Sequence, residues 1–171
     1  MKLRSPVKRA ARLIYLNRTC WNGLYRVNRQ GEFNVPIGTK TQVLLESDCF
    51  SAISDQLRMT EIRHSDFEAT IDEASVGDLV FVDPPYTVKH NLNGFLKYND
   101  KIFSWQDQVR LRDAVDRASG RGAYIVVTNA NHKSLRDLYA GFSQAPLARQ
   151  SVLSGLAKSR GLTEELLIRN F

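Results

Sequence analysis

The run Leu79-Val80-Phe81-Val82-Asp83-Pro84-Pro85-Tyr86 constrains this chain more than any other stretch. Four consecutive apolar residues, mostly β-branched or aromatic, predict a strand buried on both faces. Two prolines then end it, because proline has no N–H for a ladder and fixes its own φ. Asp83 is thereby expected at the C-terminal edge of a parallel sheet, where open α/β folds hold their ligands. The groups themselves suggest a chemistry. The Asp83 carboxylate accepts one hydrogen bond, the Pro84 carbonyl accepts a second, and Tyr86 offers an aromatic face two residues beyond. Two acceptors and a ring suit a flat heterocycle with an exocyclic amino group: the acceptors take both N–H protons and the ring stacks on the plane. The competing reading is a strand followed by a rigid turn with a surface aspartate.

Composition narrows the field. Hydrophobic residues make up 43% of 171, enough for the core of one ordinary domain, so disorder is not the default. The formal charge of +6 and isoelectric point near 9.5 fit a polyanionic partner. Cys20 and Cys49 are too few for a disulfide framework and lack metal-ligand spacing, which suggests a reducing cytoplasm. No apolar run approaches the ~18 residues of a membrane span, and no signal-peptide apolar region follows the N-terminal residues.

The N-terminal region is polar and punctuated by turns. Ser5-Pro6 reads as an N-cap with Pro at the first helical position, and Val7, Ala10, Ala11 and Ile14 mark one face of the helix that follows. Asn22-Gly23 is a strong turn signal. From Leu16 to Gly38 the chain is rich in Arg, Asn and aromatic residues and poor in long apolar faces. Such groups contact phosphates, read base edges and wedge between bases. A DNA-recognition hairpin and a polar connector fit this composition equally well.

Several stretches share one resemblance. Asp-Pro-Pro-Tyr at a strand end resembles the catalytic motif of DNA adenine-N6 methyltransferases. Leu16-Asn17-Arg18-x-x-x-Asn22-Gly23-Leu24-x-Arg26-x-Asn28, followed by Gly31-Glu32-Phe33-Asn34-Val35-Pro36-x-Gly38, is similar to the target-recognition region of the Dam-like, D12-class members. The resemblance implies S-adenosylmethionine as cofactor and double-stranded DNA as partner, commonly at GATC, although related members read other sites. It implies a catalytic role for Asp83, Pro84, Pro85 and Tyr86. Trp21 falls where the family has an aromatic that wedges into the duplex, with Asn22 and Leu24 on the same loop. Arg26 falls at a base-reading position, suited to bidentate reading of guanine. Arg18 and Asn28 belong to the same DNA-binding run. Asp66-Phe67 resembles the family's adenine-ring site for the cofactor, with Asp83 also beside it; the plainer reading is a helix N-cap and a core Phe. The loop from Thr87 to Phe103 is long enough to be functional. It reads as a lid over the flipped base, with Phe95, Lys97 and Tyr98 as candidate contacts. Arg149 and Arg160, in a last hairpin similar to the family's, are candidate DNA contacts.

Other elements follow from local signals. Ser47 reads as the cap of a helix carrying Phe50, Ile53 and Leu57 at core spacing, and Thr60 to His64 as a short strand. A helix is expected through Glu68–Ala74. Ser104 with Asp107 forms a near-capping box ahead of a helix with Gln108, Leu111, Val115 and Ala118 on one face. Tyr124 to Thr128 reads as a second buried strand, followed by a helix carrying Leu135, Leu138 and Tyr139. The expected architecture is α/β and Rossmann-like: a mostly parallel sheet with helices on both faces and a small helix and hairpin insert for DNA recognition. Residues 1–45 are assigned to target recognition and 46–171 to a partial catalytic region. The family's Phe-x-Gly-x-Gly segment, and with it the N-terminal strands, is not found in this sequence. Three explanations stand open: a second chain supplies that half, the product is truncated, or the protein is a relative that binds DNA without methylating it.

Overall fold

The computed structural model describes residues 5–28, 30–87, 103–150 and 162–171. The chain divides into two compact units, Met1–Ile62 and Arg63–Phe171. The boundary falls after the helix at Phe50–Arg58, so that helix belongs to the first unit.

The first unit opens with α1 (Pro6–Thr19). Ser5 caps it as expected, its hydroxyl accepting from the Lys8 amide at 3.4 Å. A single 3-10 turn at Trp21–Gly23 follows, with Asn22 (φ 54°) and Gly23 (φ 64°) both in the left-handed region that Asn and Gly tolerate. The chain then doubles back, and isolated antiparallel bridges pair Cys20 with Ile37 and Val27 with Phe33. Gly38 is required at its position: a Cβ there would stand 2.7 Å from the Cys20 carbonyl oxygen. α2 (Phe50–Arg58) is preceded by Cys49 rather than capped by Ser47. Phe50, Ile53 and Leu57, at core spacing in the sequence, are all exposed. The same holds for Val7 and Ile14 on α1. Helical periodicity shows that apolar side chains share a face; it does not say what covers that face.

The second unit contains α3 (Phe67–Asp72), β1 (Leu79–Val82), α4 (Trp105–Gly120), β2 (Tyr124–Ala130), α5 (Lys133–Leu138), β3 (Ser143–Gln150) and β4 (Leu162–Arg169). Its strands form one mixed sheet in the order β1-β2-β4-β3. β1 and β2 are parallel, whereas β4 runs antiparallel to both β2 and β3. Among the described strands, then, one pairing of three is parallel, against the expectation of a mostly parallel sheet. The cause is the closing hairpin: β4 turns back beside β3 and so must oppose it, and it pairs with β2 in the same sense. Residues 60–64, expected as a strand, form none.

The core lies on one face of this sheet. Ile125, Val127 and Asn129 from β2 and Leu166 and Ile168 from β4 are fully buried, together with Gln108, Leu111, Ala114, Val115 and Ala118 from α4, Leu135 from α5, and Tyr139. The face anticipated for α4 is the one buried, and Ser104 and Asp107 complete a reciprocal capping box at its start. The opposite face is open among the described residues. Leu79 is 65% and Phe81 64% exposed, alternating with the half-buried Val80 and Val82. This corrects the expectation of a strand buried on both faces and of helices on both sides: the described helices bury one face, and a period of two sends every other side chain away from it.

Candidate active site

Asp83 leaves the sheet where β1 ends. The β1–β2 register runs Phe81 to Val126 and Val82 to Val127. One step further, Asp83 stands beside Thr128 on the open face. The Thr128 hydroxyl donates to Asp83 Oδ1 at 2.8 Å. The aspartate is exposed, Pro84 beneath it is buried, and Tyr86 is half-buried against the core. The carboxylate therefore meets solvent on a backbone fixed from below.

Behind β2 lies a buried polar chain that the sequence did not announce. Asn129 Nδ2 donates to Gln108 Oε1 at 3.1 Å, Gln108 Nε2 donates to the Tyr139 hydroxyl at 2.9 Å, and the Ala130 amide donates to Asn129 Oδ1 at 2.9 Å. Burial pushes the Tyr139 phenol above its ordinary range. The chain spans α4, β2 and the end of α5, and it anchors the strand end that carries Thr128.

Asp66 caps α3, accepting from the Glu68 amide at 3.0 Å, and the same oxygen accepts from Arg110 at 2.9 Å. Its other oxygen keeps acceptor capacity. Phe67 packs on the core, tilted against Phe103 at 5.7 Å, with the Arg110 guanidinium 5.0 Å from its ring centroid. The plainer reading of Asp66-Phe67, a cap and a packed ring, is thus realised in the geometry. Arg110 was the residue not anticipated; it lies 44 positions from Asp66 in the chain. Arg117 and then Arg110 hold the Glu68 carboxyl below the usual carboxylate range by donating to it, and Arg117 does the same for Asp72. A sulfonium nucleoside needs an acceptor for its amine and an apolar surface for its ring, and the free Asp66 oxygen with Phe67 fits that end of the group.

The first unit gathers the residues of the target-recognition run. Trp21 is 48% exposed at the 3-10 turn, and Leu24 stands exposed three residues on. Arg26 is held along one edge: Nε donates to Asn34 Oδ1 and Nη2 to the Asn34 carbonyl, both at 3.0 Å. With five donors on the fork, the Nη1 side remains for an outside acceptor. Asn34, which presents Arg26, was missed by sequence reasoning, since a side-chain acceptor eight residues away leaves no local signal. Asn28 is occupied with the hairpin itself, its Oδ1 accepting from the Gln30 and Glu32 amides at 3.0 and 2.9 Å. Arg18 pairs with Asp48 at 2.8 Å within the unit. Arg149 stands on β3 opposite Thr163. Phe95, Lys97 and Tyr98 of the expected lid, along with Arg160, lie outside the described residues.

The fold and the strand-end motif are consistent with a methyltransferase. The chain belongs to the D12 class of N6 adenine-specific DNA methyltransferases, whose family model matches residues 2–152. Among curated relatives, it is 34% identical over 170 residues to the type II methyltransferase M1.LlaDCHI of Lactococcus lactis subsp. cremoris, covering 98% of this chain and 60% of that protein. It is 37% identical over 164 residues to the DNA N-6-adenine-methyltransferase of Escherichia phage P1, covering 93% and 21% respectively. To the type II methyltransferase M.MjaIII of Methanocaldococcus jannaschii it is 34% identical over 168 residues, covering 96% and 58%. The chain therefore spans less than two thirds of the length of each of these relatives.

Proposed function

We propose that the chain carries the target-recognition and adenine-gripping parts of an enzyme that transfers a methyl group from S-adenosylmethionine to adenine N6 in duplex DNA. The observation that supports this most directly is Asp83: an accessible carboxylate at a strand end, on a proline-stiffened backbone, with one oxygen tied to Thr128 and the other open. The adenine amine is a poor nucleophile because its lone pair is delocalised into the ring. By accepting both N6–H bonds, Asp83 and the Pro84 carbonyl favour a pyramidal nitrogen whose lone pair points away from the ring. That is stabilisation of the transition state more than of the ground state. The cofactor supplies an electrophilic methyl on a sulfonium, which leaves as the thioether when the C–N bond forms. Asp83, or water beside it, takes the proton that N6 then sheds. Tyr86 stacks on the extruded base, worth ~1–3 kcal/mol per base. Asp66 and Phe67 are the residues placed at the cofactor's adenine. We assign Arg26, Trp21, Asn22 and Leu24 of the first unit to the DNA, with Arg18 and Asn28 in support; Arg149 of the second unit is a separate candidate contact.

The test is transfer of labelled methyl to duplexes of defined sequence, GATC first. Asp83→Ala should lower the rate by at least about a hundred-fold, the scale on which a lost transition-state contact acts, while duplex affinity stays within a few-fold. An Asp83→Ala protein that still methylates overturns the assignment. A second reading is a module that binds duplex DNA without taking up cofactor, since the residues assigned to target recognition lie in a compact unit of their own. Calorimetry with S-adenosylmethionine separates the two: uptake supports the enzyme, and duplex binding with no uptake supports the module.

A further inference from the structure

We propose that Thr128 is a positioning residue for Asp83, fixing which carboxylate oxygen meets the target amine; the inference rests on the function proposed above. Register brings the two together. Val82 pairs with Val127 as the last step of the parallel ladder, so the next residue on each strand lies alongside the other. A threonine hydroxyl has one proton to give. It lies 2.8 Å from Asp83 Oδ1 and 3.5 Å from the Val82 carbonyl, so the proton goes to the carboxylate. Oδ1 is thereby engaged, and Oδ2 has no hydrogen-bond partner among the described residues.

Three further observations make Thr128 a firm anchor. As a β-branched residue on a strand it has little freedom at χ1. β2 continues past the end of β1, and Thr128 pairs there with Leu167 of β4. Its neighbour Asn129 is fully buried and tied to Gln108. Asp83, by contrast, is exposed and past the end of its own strand, and among the described residues the Thr128 hydroxyl is the one side-chain group that restrains it. An exposed aspartate without such a donor samples several rotamers, and only a fraction of them present an oxygen in the plane of an incoming amine. Small errors in placing a reacting pair cost rate steeply.

The experiment has a structural arm and a kinetic arm. In solution NMR, three-bond couplings report the χ1 of Asp83 directly. The unmodified chain should show one dominant rotamer, Thr128→Val should show averaging among rotamers, and Thr128→Ser, which keeps the donor, should restore the single state. Thr128→Ala carries the same expectation as Val and serves if the valine variant does not fold. In methyl transfer, Thr128→Val should lower kcat by about ten- to a hundred-fold with KM for DNA within a few-fold, and Thr128→Ser should recover most of it. A single Asp83 rotamer that persists in Thr128→Val, or averaging already present in the unmodified chain, overturns the proposal. So does a Thr128→Val protein with unchanged kcat. If the unmodified chain transfers no methyl group at all, that result counts against the proposed function, and the rotamer measurement still decides whether Thr128 orients Asp83.

Discussion

The two units keep their shape by different means. In Arg63–Phe171 the sheet and helices close on a core in which Leu111, Ile125, Leu135, Leu166 and Ile168 are at most 1% exposed. In Met1–Ile62 the described buried residues are Thr19 and Cys20 alone. Order there comes from specific hydrogen bonds instead: the Gly38 amide to the Thr19 carbonyl at 2.7 Å, the Trp21 amide to the Pro36 carbonyl at 2.9 Å, and the fork of Arg26 on Asn34. The lesson concerns function. On the proposed function, the unit assigned to grip a base is built on burial, and the strand that carries Asp83 shares that rigidity in its backbone. The unit assigned to target recognition leaves aromatic and cationic groups accessible and fixes the aim of Arg26 through a polar neighbour.

The sharpest way to break this contrast is to delete equal volumes in the two units. Leu166→Ala removes a fully buried side chain and should cost about 2–5 kcal/mol. Ile53→Ala, at a residue 53% exposed on α2, should stay within about 0.5 kcal/mol. Urea unfolding of both variants measures the difference. Comparable losses would mean that the first unit relies on apolar burial after all.

A smaller effect, of another kind, sharpens the functional half of the comparison. Arg26→Ala should leave the unfolding midpoint nearly unchanged. It should cost about 1–3 kcal/mol of binding on the cognate duplex and relax preference at one base. Competition binding across single-base variants of the site reads this out. Unchanged discrimination would reduce Arg26 to a brace for the hairpin, its partner Asn34 included.

What could be read from the chain beforehand follows the same division. Local chemistry was legible: proline after a hydrophobic run located Asp83, Asn22-Gly23 marked the turn, and Ser104 with Asp107 marked the start of α4. Tertiary assignments were not. Nothing near Phe81 states that its side of the sheet is left open by the described helices. Nothing near Asp66 points to Arg110, and nothing near Asp83 points to Thr128, because each partner is more than 40 positions distant. The place of β4 between β2 and β3 is likewise a property of pairing rather than of any one strand. The apolar spacing on α2 was read correctly as periodicity and wrongly as burial.

The smallest expected effect is acid sensitivity, and it too should divide by unit. Four carboxyls of the second unit are held below their ordinary range. Arg117 and then Arg110 act on Glu68, and Arg117 acts on Asp72. For Asp78 the donor is the Ser75 backbone and hydroxyl, and for Asp107 it is those of Ser104. In the first unit Asp48 is lowered, first by the Leu45 amide and then by Arg18. A carboxyl whose folded pKa is depressed contributes stability that is complete above its unfolded value. That contribution disappears as pH falls through the folded value. With ordinary values of 3.8 for Asp and 4.5 for Glu, stability should be level near neutrality and begin to fall below about pH 4.5. The four carboxyls of the second unit are partly or fully exposed, so added salt should shrink the fall there. Trp21 and Trp105 place one indole in each unit, and Trp21→Phe leaves Trp105 to report the second alone. Replacing Arg117 with Gln should flatten the acid limb seen by Trp105, since it removes the leading donor to both Glu68 and Asp72. An acid limb unaltered in that variant would show that the Arg117 ion pairs contribute nothing measurable, leaving Arg110 and packing to hold α3 against α4.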